Sequence, residues 1–394
     1  MSIRKAAIRF AFISLILIVC SHAQQTLPPA LQPLVQELDK TATEMVKDPN
    51  AASFSIGITT KDGLVWSRAY GFANIENKVP ATPDSIYRIG SITKQFTAVM
   101  LLQLVHDGKV HLSDPVEKYF PEINLVAGRF PGAPPVTLMQ LATHTAGLSR
   151  EPENTETYVT GPVSEWEKTL IAALPHVKYA FEPGTHFSYS NIGYAILGAT
   201  LSRAAKQPFT DYVREKILLP LGMTHSDFEA TPAVRKSLAT GYVYNDDKKP
   251  DSTDAETELK TGRGYKVPNG ALFSTVGDLA RFEQFEMRNG PETVLPHKDL
   301  TENYQRMVAS GADLAGGYGI GFTVDTVATP DSKAIFIGHD GGVAGYVSSA
   351  HFESQSNVGI VILHNALDPN IGKLMEIYRH KLDVKSLVDA GKKP

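Results

Sequence analysis

Ser91-Ile92-Thr93-Lys94 follows Tyr87-Arg88-Ile89-Gly90 and opens an apolar run over residues 96–105. The run predicts a buried helix, and on a helix a lysine three residues after a serine lies on the same face. A serine hydroxyl is a weak nucleophile until a neighbouring base takes its proton, and the positive end of a helix dipole favours the anionic oxygen. This stretch therefore predicts a serine nucleophile, Ser91, that is activated by Lys94.

The spacing of Ser91 and Lys94 is weak evidence on its own, because roughly one S-x-x-K match is expected by chance in a chain of this kind. A second copy, Ser2-Ile3-Arg4-Lys5, lies in the N-terminal leader, where it cannot form a site in an exported protein. The case for Ser91 therefore depends on the residues that accompany it.

The leader has the composition of a secretory signal peptide. Basic residues precede an apolar run over residues 10–20, and the small residue Ala23 follows. The run is about half the length that spans a bilayer. We therefore predict a signal peptide over residues 1–23, no permanent membrane span, and an exported protein that is periplasmic or extracellular. Cys20 leaves a lipoprotein as the alternative.

The composition excludes several functional classes. Cys20 is the only cysteine, so the exported chain is predicted to have neither disulfides nor a catalytic thiol. The formal net charge is -4, which implies no basic face for nucleic acid. The chain has no H-E-x-x-H motif and no paired cysteines, so we expect no metal or other cofactor. It also lacks the G-x-S-x-G elbow of the α/β-hydrolases.

Apolar residues repeat at helical or strand spacing along most of the chain. Helical spacing occurs at residues 31–45, 96–105, 138–142, 166–173, 192–205, 212–219 and 374–382, and strand-like runs occur at 53–59, 64–70, 319–327, 334–337, 343–352 and 358–363. Strands near both ends with helices between them predict an α+β fold (an α/β sandwich). Its antiparallel β-sheet is built from both chain ends, is flanked by helices, and carries an inserted, mainly helical lobe.

We predict a single catalytic domain over residues 24–390. Residues 24–90 and 260–390 are expected to form its sheet lobe, and residues 91–259 its helical lobe. Residues 245–265 are polar and charged, which favours a solvated loop over a binding tract, although such a loop could border a cleft.

Two further candidates lie at the start of the helix predicted at residues 192–205. Glu182-Pro183-Gly184 is a turn, and Phe187-Ser188-Tyr189-Ser190-Asn191 brings Tyr189 and Asn191 to the helix entrance. There a tyrosine hydroxyl can pass a proton and an asparagine amide can hold a substrate carbonyl. The alternative is structural, with Tyr189 packed in the core and Asn191 capping the helix.

The stretch Ile337-Gly338-His339-Asp340-Gly341-Gly342 is predicted to end one strand just before another begins. Glycines such as Gly341 let a substrate approach the backbone, His339 could bind or polarise it, and the N–H of Gly342 could donate to an oxyanion. The alternative is a tight hairpin with a structural histidine. His106-Asp107-Gly108 repeats the H-x-G pattern at a predicted helix end, so one of the two matches is expected to be structural.

In this order, Ser91-x-x-Lys94, Tyr189-x-Asn191 and His339-x-Gly341 resemble the three motifs of the serine β-lactamase and penicillin-recognising superfamily. The chain is most similar to the class C-like branch, which also includes esterases, D-stereospecific aminopeptidases and D-alanyl-D-alanine carboxypeptidases. The resemblance covers roughly residues 30–380 and implies a β-lactamase/transpeptidase-like fold. Supporting segments lie at residues 144–148, 220–223 and 272–280.

The resemblance implies a role for each matched residue. Ser91 would be the acylated nucleophile and Lys94 its proton acceptor, which requires a lowered lysine pKa. Tyr189 would share the proton transfer and help activate the deacylating water, and Asn191 would orient the substrate. The backbone N–H groups of Ser91 and Gly342 would form the oxyanion hole.

His339 departs from the β-lactamases of this branch, in which the third motif usually begins with lysine. A lysine is a permanent cation suited to a substrate carboxylate, whereas a free histidine is mostly neutral at pH 7. The expected substrate is therefore a small ester, a D-amino acid amide or a peptide, with a β-lactam less favoured. The alternative function is a non-catalytic protein of the same fold that binds wall peptides or self-assembles.

Overall fold

The computed structural model describes residues 26–247, 249–305, 317–328 and 333–391. The predicted signal peptide and the second S-x-x-K copy lie outside these ranges. Within them, no helix combines the length and the apolar character that crossing a bilayer requires.

The strands form one large antiparallel sheet and several short pairs. They are β1 (Phe54–Thr60), β2 (Gly63–Tyr70), β3 (Phe72–Asn74), β4 (Val79–Pro80), β5 (Tyr87–Arg88), β6 (Val243–Tyr244), β7 (Pro250–Asp251), β8 (Phe273–Ser274), β9 (Gly317–Tyr318), β10 (Thr323–Ala328), β11 (Lys333–Val343), β12 (Tyr346–Glu353) and β13 (Val358–His364). Among the described residues the large sheet has the order β2-β1-β13-β12-β11-β10-β9, while β3-β4, β5-β8 and β6-β7 pair separately.

Strand β1 lies beside β13, so the early and late parts of the chain pair within one sheet, near its β2 edge. Their antiparallel register runs from Phe54 opposite His364 to Thr60 opposite Val358. On its other side β1 pairs with β2 in the predicted hairpin. These pairings confirm a sheet built from both chain ends.

Helices lie on both sides of the sheet and fill the middle of the chain. They are α1 (Gln32–Met45), α2 (Thr93–His106), α3 (Leu138–Ala142), α4 (Trp166–Ala173), α5 (Asn191–Ala205), α6 (Phe209–Val213), α7 (Pro232–Ser237), α8 (Thr253–Thr261), α9 (Val267–Gly270), α10 (Val276–Glu286), α11 (His297–Gln305), α12 (Asn370–Lys381) and α13 (Val384–Gly391). The 3₁₀ turn Gly90–Ile92 precedes α2.

Two apolar cores hold these helices against the two faces of the sheet. Ile360 and Val361 are successive residues of β13, so their side chains point to opposite faces. Ile360 belongs to one core with Leu38 of α1 and Leu374 of α12. Val361 belongs to the other core, which includes buried apolar residues from α2, α5 and α10. The layers confirm the predicted α+β fold.

The stretch around His339 differs from the prediction. β11 continues through it to Val343, which pairs with Tyr346 of β12, and the hairpin turn follows at residues 344–345. The prediction of a strand end before Gly342 is therefore wrong. Gly341 is needed for packing and does not form a turn. A Cβ at this position would lie 2.0 Å from the backbone oxygen of Ile89, so only glycine lets the two backbones approach this closely.

Residues 245–265 also differ from the predicted solvated loop, because they contain β7 and the nine-residue helix α8. Glu258 of α8 forms an ion pair with Arg88 at 2.7 Å and a second one with Arg263. The Arg88 side chain is buried. One of the charges that indicated a solvated segment, Glu258, is thus paired with the buried Arg88, which is remote from it in sequence.

Candidate active site

Ser91 lies in the 3₁₀ turn between β5 and α2. The turn places Gly90 at φ +50°, a conformation that favours glycine, and the Thr93 hydroxyl donates to the Gly90 oxygen at 2.7 Å. Ser91 is partly exposed, whereas Ile92 and Lys94 are buried. The Ser91 hydroxyl is therefore held at the N-terminal end of α2, where the helix dipole stabilises negative charge.

Lys94 is fully buried, and its Nζ has three polar neighbours. It donates to Ser91 Oγ at 2.9 Å, to Asn191 Oδ1 at 2.8 Å and to the backbone oxygen of Asn269 at 2.9 Å. A charged ammonium has three N–H donors for these three acceptors. A neutral amine has two N–H groups, which suit the two carbonyl oxygens, and its lone pair then faces the Ser91 hydroxyl. The site accommodates both forms of the lysine.

Burial holds the pKa of Lys94 well below its ordinary value of 10.5. The nearby Glu151 carboxylate acts in the opposite direction, while the cations Arg150, Lys266 and Arg263 lower the pKa further. Desolvation disfavours the charged lysine because three neutral acceptors replace only part of the hydration that an ammonium has in water. The neutral form, which can accept a proton, therefore becomes accessible at lower pH than for a free lysine.

Tyr189 lies next to both Ser91 and Lys94. Its ring centroid is 4.9 Å from Lys94 Nζ and 4.2 Å from the centroid of the His144 ring. Burial raises the pKa of the Tyr189 hydroxyl, and a side-chain hydrogen bond with Ser91 works against that rise. The hydroxyl thus stays protonated at neutral pH and lies within reach of the Ser91 oxygen.

Asn191 does not cap α5. The cap is Ser190, whose Oγ accepts from the Gly193 N–H at 3.0 Å. The Asn191 side chain instead accepts from Lys94 and donates from Nδ2 to Glu151 Oε1 at 2.6 Å. The structural alternative for Asn191 is therefore wrong, because a neighbouring serine takes the capping position and leaves the amide free to bridge a base and a carboxylate.

Gly341 and Gly342 bring β11 against the turn that carries Ser91. A Cβ on Gly90 would lie 2.8 Å from the Gly342 nitrogen, so the two backbones are in contact. The Ser348 hydroxyl of β12 secures the same junction by donating to the Ile89 oxygen at 2.9 Å. Gly342 is exposed, and no atom lies within 4 Å of the position its Cβ would take. Its backbone therefore borders open space beside Ser91.

His339 is buried and neutral. Its Nε2 lies 3.1 Å from the Tyr318 hydroxyl, and its Nδ1 faces the backbone oxygen of Asp340. A carbonyl only accepts, so Nδ1 carries the proton and Nε2 accepts from Tyr318. Burial, assisted by the charge of Lys94, lowers the pKa of His339 well below its ordinary value of 6.5. His339 therefore brings no positive charge to this site, and its direct contact with substrate stays a prediction.

Two other histidine features have structural roles. His144 is buried, and its Nδ1 accepts from the Ser190 N–H at 3.1 Å, which fixes the segment that carries Tyr189. Helix α2 ends at His106, and Gly108 follows with φ +67°. The H-x-G match at residues 106–108 is thus a helix end, as expected for one of the two copies.

Four residues of the site were missed by the sequence reasoning. Glu151 accepts from Asn191 and Tyr265, and it forms an ion pair with Lys266 at 3.2 Å. Asn269 accepts from Lys94 through its backbone oxygen and donates from Nδ2 to the backbone oxygen of Asn191 at 2.9 Å. The remaining residue, Arg150, stacks on Tyr189. Their places in the sequence could have indicated them. Arg150 and Glu151 come directly after the family-like segment 144–148, and Lys266 and Asn269 follow the charged stretch 245–265.

In the part of the chain that the structure describes, no group of three or more histidine, cysteine or acidic side chains converges as a metal site would require. The groups around Ser91 are instead donors, acceptors and a base. They suit proton transfer to and from an oxygen nucleophile.

A profile of the Beta-lactamase family matches residues 38–383. Among curated proteins, Beta-lactamase-like protein 2 of Dictyostelium discoideum is 35% identical over 278 residues, which cover 70% of this chain and 49% of that protein. The chain thus matches about half the length of this relative.

Solved structures share the architecture. The octameric penicillin-binding protein homologue from Pyrococcus abyssi has a TM-score of 0.72 and 25% identity, with 91% of this chain and 80% of that chain covered. A class C beta-lactamase also has a TM-score of 0.72, with 21% identity and coverage of 91% and 98%. The profile match, the fold and the ordered motifs agree, and the chain therefore belongs to the Beta-lactamase family.

Proposed function

We propose that this chain is a serine hydrolase that cleaves an ester or amide through an acyl-enzyme on Ser91. The observation that carries the proposal is the setting of Lys94. Its Nζ lies 2.9 Å from Ser91 Oγ, and two carbonyl oxygens occupy its other contacts. A buried lysine in this position is suited to act as a neutral general base.

In acylation, Ser91 Oγ attacks the substrate carbonyl carbon while its proton passes to Lys94 Nζ. Negative charge develops on the carbonyl oxygen, where the backbone N–H groups of Ser91 and Gly342 would donate to it. As the tetrahedral intermediate collapses, the bond to the leaving group breaks. The leaving alcohol or amine takes the proton from Lys94, with the Tyr189 hydroxyl as the relay.

In deacylation, a water molecule attacks the acyl carbon of the ester on Ser91. Tyr189 and Lys94 together accept the water proton, and the Ser91 oxygen leaves and recovers a proton from them. The products are a carboxylic acid and the free enzyme. Asn191 holds Lys94 through Oδ1 and so keeps the base in place during both steps.

The proposed substrates are small esters, D-amino acid amides or peptides. His339 is neutral, so the position at which related β-lactamases usually have lysine carries no charge for the carboxylate of an antibiotic. We expect short-chain p-nitrophenyl esters to be cleaved faster than cephalosporins. Nitrocefin turnover well above ester turnover would reverse this choice.

We also propose that the protein is exported, on the basis of the sequence of residues 1–23. Its cellular form should begin near residue 24. N-terminal sequencing of the protein recovered from an expressing bacterium measures this directly, and an intact leader on the cellular protein would contradict export through a cleaved signal.

Labelling with a fluorophosphonate tests the enzyme proposal. Tandem mass spectrometry should find one adduct, on Ser91, and Ser91→Ala should abolish both the adduct and ester hydrolysis. Ser67→Ala, on the edge strand β2, is the matched control and should label like the wild type. If the folded wild type takes no label and hydrolyses no ester, amide or lactam, the chain is a non-catalytic binding protein instead.

A further inference from the structure

The cations around Ser91 differ in what they can offer to a substrate. Lys94 is buried and points to Ser91. Lys266 is largely buried and forms an ion pair with Glu151 at 3.2 Å. Arg263 is also largely buried and pairs with Glu258. None of these three side chains presents an accessible, unpaired positive charge.

Arg150 is the exception. It is exposed, and its guanidinium carbon lies 4.8 Å from the centroid of the Tyr189 ring, whose centroid is 4.9 Å from Lys94 Nζ. Its backbone oxygen accepts from the Asn191 N–H at 3.0 Å, which fixes the residue at the entrance of α5. Across the described ranges no acidic side chain forms an ion pair with it. The stacked guanidinium therefore keeps its fork of N–H donors available, one aromatic ring away from the reacting groups.

We propose that Arg150 binds an anionic group of the substrate beside Tyr189, at a different position from the third motif, so that among open-chain esters and amides this enzyme prefers those that carry a carboxylate. The inference rests on the proposed acyl-enzyme on Ser91. It follows from two facts together: His339, at the start of the third motif, is buried with both ring nitrogens engaged, and Arg150 supplies an exposed cation beside Tyr189. A guanidinium suits a carboxylate because it can donate two parallel hydrogen bonds.

The carboxylate has two possible sources, the acyl group and the leaving group. Three chromogenic esters distinguish them. 4-Nitrophenyl butyrate is neutral, mono-(4-nitrophenyl) glutarate carries the charge on the acyl group, and 3-carboxy-4-nitrophenyl butyrate carries it on the leaving group. The quantity compared is the ratio of kcat/KM for each anionic ester to kcat/KM for the neutral ester, in the same enzyme preparation.

We expect the wild type to prefer one of the two anionic esters, and Arg150→Gln to lower that ratio about 10-fold to 100-fold, as for loss of a charge-assisted bidentate pair. Arg150→Lys should keep part of the preference, and Arg150→Glu should reverse it. High salt should weaken the wild-type preference, because Arg150 is exposed and its charge is screened. Arg68→Gln, which removes an exposed arginine on the edge strand β2, is the charge-matched control and should leave the ratio unchanged.

Some results would overturn the role of Arg150 while leaving the enzyme proposal intact. The first such result is a wild type that cleaves the neutral ester through Ser91 without favouring either anionic ester. The second is an Arg150→Gln variant that loses activity on all three esters by the same factor. The second result would mean that Arg150 only positions Tyr189. If the wild type cleaves none of the esters and Ser91 takes no fluorophosphonate, the proposed function fails and the role of Arg150 fails with it.

Discussion

Replacing Glu151 with glutamine should move the pH dependence of ester hydrolysis toward acid. In the proposed mechanism hydrolysis requires neutral Lys94, so kcat/KM should rise with pH through the pKa of that lysine. The Glu151 carboxylate stabilises the charged lysine and raises this pKa, against the larger effect of burial. Removing the negative charge should therefore lower the pKa of Lys94 and shift the rising limb to lower pH.

The size of the shift follows from the Asn191 bridge between the two charges. Lys94 Nζ is 2.8 Å from Asn191 Oδ1, and Asn191 Nδ2 is 2.6 Å from Glu151 Oε1. With the width of one amide group, the charges are about 7 Å apart. At an effective dielectric constant of about 20, their interaction is about 2 kcal/mol, or about 1.5 pKa units. Glu151 itself is ionised at neutral pH: burial acts to raise its pKa, but the charge of Lys266 and several hydrogen bonds hold it below the usual value.

The assay is kcat/KM for 4-nitrophenyl butyrate from pH 4 to pH 9, followed at a wavelength that does not depend on nitrophenol ionisation. Glu151→Gln should move the acidic limb down by about 1 to 2 units. Glu153→Gln removes an exposed carboxylate from the same segment and should leave the limb in place. A limb that stays fixed in Glu151→Gln, or that moves to higher pH, would refute Lys94 as the titrating base or Glu151 as its electrostatic partner.

Three further predictions concern the residues around this base. Gly341→Ala would place a methyl group 2.0 Å from the Ile89 oxygen and should lower the free energy of unfolding by about 3 kcal/mol, as measured by denaturant titration. Gly342→Ala is the control: its methyl group meets no atom within 4 Å, so this variant should keep wild-type stability. Tyr189→Phe should fold normally but slow ester turnover about 100-fold, and an unchanged kcat would remove the hydroxyl from the proton relay. Burial lowers the pKa of His339 well below its ordinary value of 6.5, so its NMR signals should not titrate around neutral pH. Because the folded state disfavours its charged form, His339 should reduce stability only as the pH falls below about 6.5.

Much of the fold follows from local sequence. The alternation in β1 and β2, the turn between them and the apolar spacing of α1, α2 and α5 are properties of short segments, and the structure has these elements where they are predicted. The errors arose where a remote segment decides the outcome. β11 accommodates its glycines because the backbone at Ile89 lies against them, and α8 is held where Glu258 meets Arg88.

In the candidate site too, the features within one short segment could be predicted from the sequence, and those that join distant segments could not. The order and spacing of Ser91, Lys94, Tyr189 and Asn191 are visible in the sequence, because each pair lies within one helical turn or one short segment. The acceptors that surround Lys94 are not visible, since Asn191 and Asn269 come from different parts of the chain. The sequence by itself therefore determined the family motifs and predicted the candidate nucleophile and the candidate base.

Only the tertiary structure decided the charge state of the groups around them. Burial lowers the pKa values of Lys94 and His339, and the partly buried carboxylate of Glu151 next to Lys266 opposes that effect at Lys94. Arg150 stays exposed and unpaired in the described structure because its neighbours in space are an aromatic ring and a helix entrance. A pKa and an available charge depend on solvent and on partners brought from distant positions, and neither is a property of a short stretch of sequence.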